Sequence, residues 1–499
     1  MQQQRKAGVL MPISSLPSPY GIGTLGKEAF CFIDKLKKAG VKIWQVLPLL
    51  PTGYGDSPYQ SFASNALNYY FIDFRILKEQ KLLKKSDYES VDFGSDHRRV
   101  DYEKLFYEKV PVLKKAFARF DRTDKKWKAF LKKGDYADFA LFMSLKVKFG
   151  YKDWTKWDEP YRQYDEKTAK KFIKDNRDEF EFWQFTQYLF LEQWNALKSY
   201  ANENGVLIMG DMPIYVSADS VEMWKDKNEL FLLDEKGNPA VVAGVPPDAF
   251  SADGQLWGNP VYNWEKMRAD GYAWWKERID YAFRLFDLVR IDHFRGFDRF
   301  YAIPYGSDTA KIGEWLDGPK GALFEDRKNL GVVAEDLGTI DEGVKTLMRE
   351  TGFPGMKVML FGFNGDPTSE HKPSNFTENC FAYTGTHDNP TTVGYLEELD
   401  EEGKALVRRE LQQECEKLGV VYGGDGEKEQ CSTAVELVFA SKAISAIAPY
   451  QDILAVGKEG RINFPSTVSL KNWSYRFLKE ELSSPCWAWL KSLIKKYDR

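Results

Sequence analysis

Leu288-Val-Arg-Ile-Asp-His-Phe-Arg-Gly296 is a short apolar run that ends in charge. An apolar run of this length reads as a strand covered on both faces, the situation in a parallel sheet. Alternate side chains of a strand share a face, so Arg290 and Asp292 point the same way. An arginine beside an aspartate keeps the carboxylate ionised, as a nucleophile requires, although a structural ion pair would leave the same pattern. Working outward, seven further runs have this character: Gly8–Ile13, Lys42–Pro48, Val206–Met209, Gly331–Ala334, Met356–Phe361, Phe381–Thr384 and Asp452–Val456. Helical periodicity follows most of them; Ala29, Phe30, Ile33 and Leu36 make one apolar stripe, stopped by Gly40. Eight strands alternating with helices predict a (β/α)8 TIM barrel rather than a doubly wound sheet.

The uneven spacing of the runs predicts one catalytic barrel over 1–499 with two insertions in its loops. Residues 75–200, between the second and third strands, are mainly helical, with Phe182, Phe185, Leu189 and Trp194 at helical spacing. Residues 215–285, between the third and fourth strands, are rich in Gly, Pro, Asp and Trp and form the second. Too little chain follows Val456 for a C-terminal β-sandwich domain.

Composition narrows the function. Lysine plus arginine (70) nearly balance aspartate plus glutamate (74), a net charge of −4 that excludes holding nucleic acid by bulk charge. With 43% hydrophobic and 29% charged residues the chain is a soluble globular protein. The 15% of aromatic residues suits a large core, or a cleft whose ring faces stack on pyranoses. Five scattered cysteines without a CxxC pair argue against a disulfide framework or a zinc site and fit a reducing compartment. Val9 to Ile13 is too short for a signal-peptide core, and no run approaches the roughly 18 apolar residues of a membrane span, so a cytoplasmic location is expected. Gly21-Ile-Gly-Thr-Leu-Gly26 matches a dinucleotide fingerprint, but Pro17 and Pro19 stiffen the loop before it. The following strand also ends in Leu47-Pro-Leu-Leu50, with no carboxylate for a ribose. No cofactor is expected.

Barrel enzymes carry their reactive groups at strand C-terminal ends. Here those ends read Gly210-Asp-Met-Pro213, Asp292-His293 after the fourth strand, Glu335-Asp336 after the fifth and His387-Asp388-Asn389 after the seventh. Of the two consecutive acids, one should face the barrel mouth and the other a supporting contact. Paired carboxyls, one nucleophile and one proton donor, are what glycosidic cleavage through an oxocarbenium-like transition state needs. The competing reading is a divalent metal held by His293, His387 and the neighbouring acids. Only four histidines and no HxH or HxxE pair weigh against it, and no metal is expected.

The chain resembles the 4-alpha-glucanotransferases, also called amylomaltases or disproportionating enzymes, a retaining family related to α-amylases. The resemblance runs from Pro12 to about Arg476. It rests on Pro51-Thr-Gly-Tyr-Gly-Asp-Ser-Pro-Tyr-Gln60, Gly210-Asp-Met-Pro-Ile-Tyr-Val216, Gly244-Val-Pro-Pro-Asp-Ala-Phe-Ser251, Gln255-Leu-Trp-Gly-Asn-Pro260, Val289–Gly296, Ala334–Gly338 and Gly385–Asn389, in that order. It implies Asp292 as nucleophile, Glu335 as general acid and base, and Asp388 as transition-state stabiliser. Arg290 would orient Asp292; Asp211, His293 and His387 would bind the sugar at the cleavage point. Tyr59 would stack on that sugar and Trp257 on its neighbour across the scissile bond. Ser57, Asp248 and Asn463 would add polar contacts, Tyr54 would serve a secondary glucan groove, and loop 244–257 would cover the substrate. The implied partners are malto-oligosaccharides and starch- or glycogen-type glucans, with no calcium; oligomeric state is left open. The alternative is an α-1,4-glucan hydrolase using the same carboxylates. Ser466, Tyr475 and Tyr395 depart from the family pattern, which has Gly, Trp and Trp there, and they bear on acceptor preference.

Overall fold

The computed structural model describes residues 5–247, 252–338 and 340–499. Among the described residues twelve strands occur in chain order: β1 Lys6–Leu10, β2 Ile43–Gln45, β3 Leu207–Met212, β4 Val241–Val245, β5 Gln255–Pro260, β6 Leu288–Ile291, β7 Arg299–Pro304, β8 Glu314–Asp317, β9 Val332–Ala334, β10 Gly355–Val358, β11 Cys380–Tyr383 and β12 Ser445–Pro449. Eight form one parallel sheet in the order β10-β11-β12-β1-β2-β3-β6-β9. Its two edges meet where Ala334 N donates to Pro354 O at 2.9 Å and Met356 N donates to Asp336 Oδ1 at 2.6 Å. The sheet therefore closes into the predicted (β/α)8 barrel. Leu10, Ile43, Met209, Val333, Met356, Phe381 and Ile447 fill its interior.

The helices wrap the outside through amphipathic stripes. In Lys27–Ala39 the buried face is Ala29, Phe32, Ile33 and Leu36, the spacing of a single helix face. Phe32, not Phe30, completes that stripe; Phe30 lies half-buried against Tyr200. Gly40 ends the helix in the left-handed region (φ 89°). Between β2 and β3 run helices that include Tyr102–Arg119, Ala137–Lys148 and Arg177–Glu203, the last burying Phe182, Phe185, Leu189 and Trp194. Between β3 and β6 lie β4 and β5, which join β7 and β8 in a separate antiparallel sheet of order β5-β4-β7-β8.

The eighth barrel strand is Ser445–Pro449, not Asp452–Val456. The latter run begins inside the short helix Tyr450–Ile453. Its apolar look misleads because Asp452 is itself buried, accepting from Thr384 Oγ1 (2.5 Å), Thr392 N (2.8 Å) and Thr392 Oγ1 (2.9 Å). The true strand is built mostly of small residues, between β11 and β1. Among the described residues no helix is long and apolar enough to cross a membrane.

Candidate active site

Register brings the acids together. Ile291 pairs with Ala334, so Asp292 and Glu335 leave adjacent strands at the same level. Asp211 pairs with Arg290 across β3 and β6. The Arg290 guanidinium lies at the centre: Nη1 is 2.8 Å from both oxygens of Asp211, and Nη2 is 2.9 Å from Asp292 Oδ1. This is the same-face geometry expected of alternate strand residues. Asp292 N is fixed by Met212 O at 3.0 Å.

Glu335 is buried and held by two backbone donors, His293 N at 2.7 Å on Oε2 and Leu337 N at 2.8 Å on Oε1. His293 reaches it by adopting the left-handed region (φ 46°), a strained conformation found where a site demands it. Asp336, the second of the consecutive acids, points outward to Met356 N and lies 3.6 Å from Lys357 Nζ. One acid thus faces the mouth and the other ties β9 to β10.

Burial pushes Asp292 up to about 6 against the pull of Arg290, with Asp211 and Asp388 adding to the rise. It pushes Glu335 up to about 7, where Arg290 again opposes and Asp292 assists. The guanidinium contacts Asp292 directly, so Asp292 ionises first and Glu335 retains the proton that the pair shares. His293 falls to about 3 through burial, reinforced by Arg295, and stays neutral. Its Nε2 is buried and has no partner among the described residues.

On the opposite side Tyr59 Oη donates to Asp211 Oδ2 at 2.8 Å and lies 3.0 Å from His387 Nε2. The phenol has one proton to give, so His387 Nε2 is the donor in the second contact. The two rings stack, 5.4 Å between centroids and 14° between planes. His387 Nε2 is also 3.3 Å from Asp388 Oδ2, while Asn463 Nδ2 donates to Asp388 Oδ1 at 2.6 Å. Trp257 stands edge-on to His293, 4.8 Å between centroids, on the Glu335 side.

Asp211, Arg290, Asp292, His293, Glu335, His387, Asp388, Tyr59, Trp257 and Asn463 therefore gather at the C-terminal mouth of the barrel. Ser57 is one step removed; its Oγ accepts from Tyr59 N at 3.2 Å and shapes the loop. Tyr54 is 74% exposed and outside the cluster. Asp248, with Phe250 of the covering loop, lies outside the described residues. Two participants carried no role in the sequence reading. Arg461 donates to Asp388 O (3.1 Å) and Asn463 O (2.8 Å), and the Trp473 ring lies 5.6 Å from Tyr59 and 5.8 Å from His387. Both lie in stretches the sequence reading drew on, Arg461 two positions before Asn463 and Trp473 two before Tyr475, but neither was assigned a role. Among the described residues no group of three or more His, Cys, Asp or Glu could hold a metal ion.

A closed parallel barrel with carboxyls ringed about a buried guanidinium at its strand ends defines a carbohydrate-active barrel enzyme. Comparison with known proteins gives the particular family. The sequence profile described as 4-alpha-glucanotransferase matches residues 11–481, and the chain belongs to that family. It is 43% identical to the 4-alpha-glucanotransferase of Streptococcus pneumoniae, over 100% of this chain and 98% of that one. It is 42% identical to the Thermus thermophilus protein of the same name, over the whole of both chains. Among solved structures, the amylomaltase of Streptococcus agalactiae in complex with acarbose superposes with a TM-score of 0.93 at 40% identity, covering 99% of this chain and 100% of that one.

Proposed function

We propose that the protein transfers segments of 1,4-α-glucan by a retaining double displacement, as a 4-alpha-glucanotransferase. The observation that carries this reading is the pairing of Asp292 with Arg290 in register with a buried Glu335 on the neighbouring strand. Neighbouring strands run about 4.8 Å apart, a spacing suited to the roughly 5–5.5 Å between carboxyls of retaining enzymes. Protonated Glu335 gives its proton to the glycosidic oxygen while ionised Asp292 attacks the anomeric carbon; the C–O bond breaks and a β-glucosyl ester forms. Glu335, now a carboxylate, takes the proton from the 4-hydroxyl of an acceptor glucan, which attacks the same carbon and releases Asp292.

Asp388, held by Asn463 and His387, faces the charge that develops on the ring. Asp211, His293 and His387 bind the hydroxyls of that sugar, and Tyr59 stacks against it. Because the acid must address the leaving group, Trp257, on the Glu335 side, stacks on the acceptor. Ser57 contributes a polar contact, and segment 252–257, which carries Trp257, shields the ester from water. Tyr54, exposed outside the cluster, offers a ring to a glucan outside the cleft. Five free cysteines support a cytoplasmic setting.

Incubation with maltotriose tests the reading. Glucose together with maltopentaose and longer chains is expected, and Asp292→Asn should yield none of them. Glucose and maltose with nothing longer than substrate would favour the hydrolase that uses the same carboxyls.

A further inference from the structure

The two walls of the cleft ride on different elements. Tyr59 belongs to the segment after β2, Trp257 to β5. The residue directly after Tyr59 and the residue two beyond Trp257 meet face to face. Gln60 Nε2 donates to Asn259 Oδ1 at 3.0 Å, and Asn259 Nδ2 returns a longer bond of 3.4 Å to Gln60 Oε1. Asn259 is 5% exposed and also donates to Val216 O at 2.7 Å. Val216 ends the turn that leaves β3 after Asp211, and Tyr215 of that turn packs on Trp257 at 6.3 Å. Gly258, at φ 74°, lets the chain turn Trp257 into the cleft and Asn259 into the protein. One amide pair thus stands at the junction of two loops and strand β5, between the ring that lies on Asp211 and His387 and the ring that lies on His293.

We propose that Gln60 and Asn259 are positioning residues that fix the separation of the donor wall at Tyr59 from the acceptor wall at Trp257, and thereby set the ratio of transfer to hydrolysis. The inference rests on the transferase reading above. Transfer requires an acceptor hydroxyl seated in a near-attack position, where a displacement of about 1 Å can cost about 100-fold. Both outcomes share the first displacement, whose leaving group lies on the Trp257 face; the ester then partitions, and its capture by water makes no use of that face. Loosening the pair therefore slows transfer and leaves water's access to the same ester unchanged or improved.

The test uses the full-length protein with maltotriose, counting maltopentaose formed (transfer) against new reducing ends (hydrolysis). Gln60→Leu should lower the ratio of transfer to hydrolysis about 5-fold, the scale of one lost hydrogen bond. Gln60→Leu combined with Asn259→Leu should be little worse than Asn259→Leu alone, because Asn259→Leu already removes the amide pair together with the bond to Val216 O. Exchanging the amides, Gln60→Asn with Asn259→Gln, keeps the summed side-chain length and should recover most of the transfer that each single exchange loses. Should Asn259→Leu fail to fold, Gln60→Leu decides the matter, since Gln60 is only half-buried. A folded Gln60→Leu with an unchanged transfer-to-hydrolysis ratio, or with both rates lowered equally, overturns the inference. Wild-type protein run alongside keeps the two readings apart. No product longer than maltotriose from it overturns the transferase reading and this inference together; longer products with an unchanged variant ratio overturn the inference alone.

Discussion

Arg290→Met tests the centre of the site. The guanidinium touches Asp211 at 2.8 Å twice and Asp292 at 2.9 Å, with side chains 4%, 0% and 27% exposed respectively. Removing one partner of a buried ion pair costs about 3–5 kcal/mol, because the remaining charge stays buried and unpaired. The Asp292 share of this loss has a definite pH dependence. Its folded carboxyl already titrates near 6, above the roughly 3.9 of an unfolded chain, and loss of Arg290 raises it further. A raised carboxyl pKa lowers stability as pH climbs from the unfolded value to the folded one. Below about 6 Asp292 is protonated in both proteins and contributes no difference between them; above that the variant's deficit grows by about 1.36 kcal/mol per unit until its own new pKa is reached. Thermal unfolding at pH 5 and pH 8 measures this directly. The drop in Tm relative to wild type should be clearly larger at pH 8, and the acid limb of the activity profile should move alkaline from near 6. A deficit of equal size at both pH values would refute the electrostatic account and leave only lost packing.

Other changes separate the remaining groups. Glu335→Gln should lose turnover on malto-oligosaccharides and lose far less on donors with acidic leaving groups, which need little protonation; the ratio of the two rates is the readout. Asn463→Ala removes a 2.6 Å charge-assisted bond to Asp388, worth about 1.5–3 kcal/mol, so kcat/KM should fall between about 10-fold and 150-fold with little change in Tm. Lys109 is fully buried, its Nζ has no hydrogen-bond partner among the described residues, and burial lowers it to about 7 despite Asp73 and the Phe74 ring at 5.0 Å. Since the unfolded lysine titrates near 10.4, Lys109→Met should stabilise the protein by up to about 5 kcal/mol below pH 7, the gain fading as pH approaches 10; denaturation at pH 6.5 and 9.5 follows it.

The carboxyl site was legible because Asp292 and Glu335 each directly follow an apolar run, with Asp211 inside a third strand and Asp388 five residues beyond a fourth. Strand and catalytic group are contiguous in sequence, and register does the rest: once Ile291 lies beside Ala334, Asp292 must lie beside Glu335. The eighth strand was not legible, for an energetic reason. Ser445-Ala-Ile-Ala-Pro449 carries little apolar bulk, whereas Asp452–Val456 carries more and hides a carboxylate whose partners, Thr384 and Thr392, are 68 and 60 residues away in sequence. A buried charge satisfied from afar leaves no local trace. Trp473 and the Gln60–Asn259 pair were missed for the same reason, since each takes its meaning from a residue on another element.

That division between strand and loop also explains where the sequence departs from its family. Ser466 adopts φ 62°, a left-handed conformation that glycine holds without strain, so the expected glycine is a backbone requirement that serine meets at some cost. Tyr475 is buried against Phe477 with its hydroxyl 3.4 Å from Arg98, and Tyr395 stacks on Phe363 at 6.2 Å. None of the three contacts Arg290, Glu335 or the acids around them. Ser466 and Tyr475 flank Trp473 and Asn463 on the segment that closes over Tyr59 and Asp388. Changes there move the walls of the cleft while the strand-borne carboxyls keep their register, so sequence drift in these positions should alter which acceptor is used long before it alters the bond that is made.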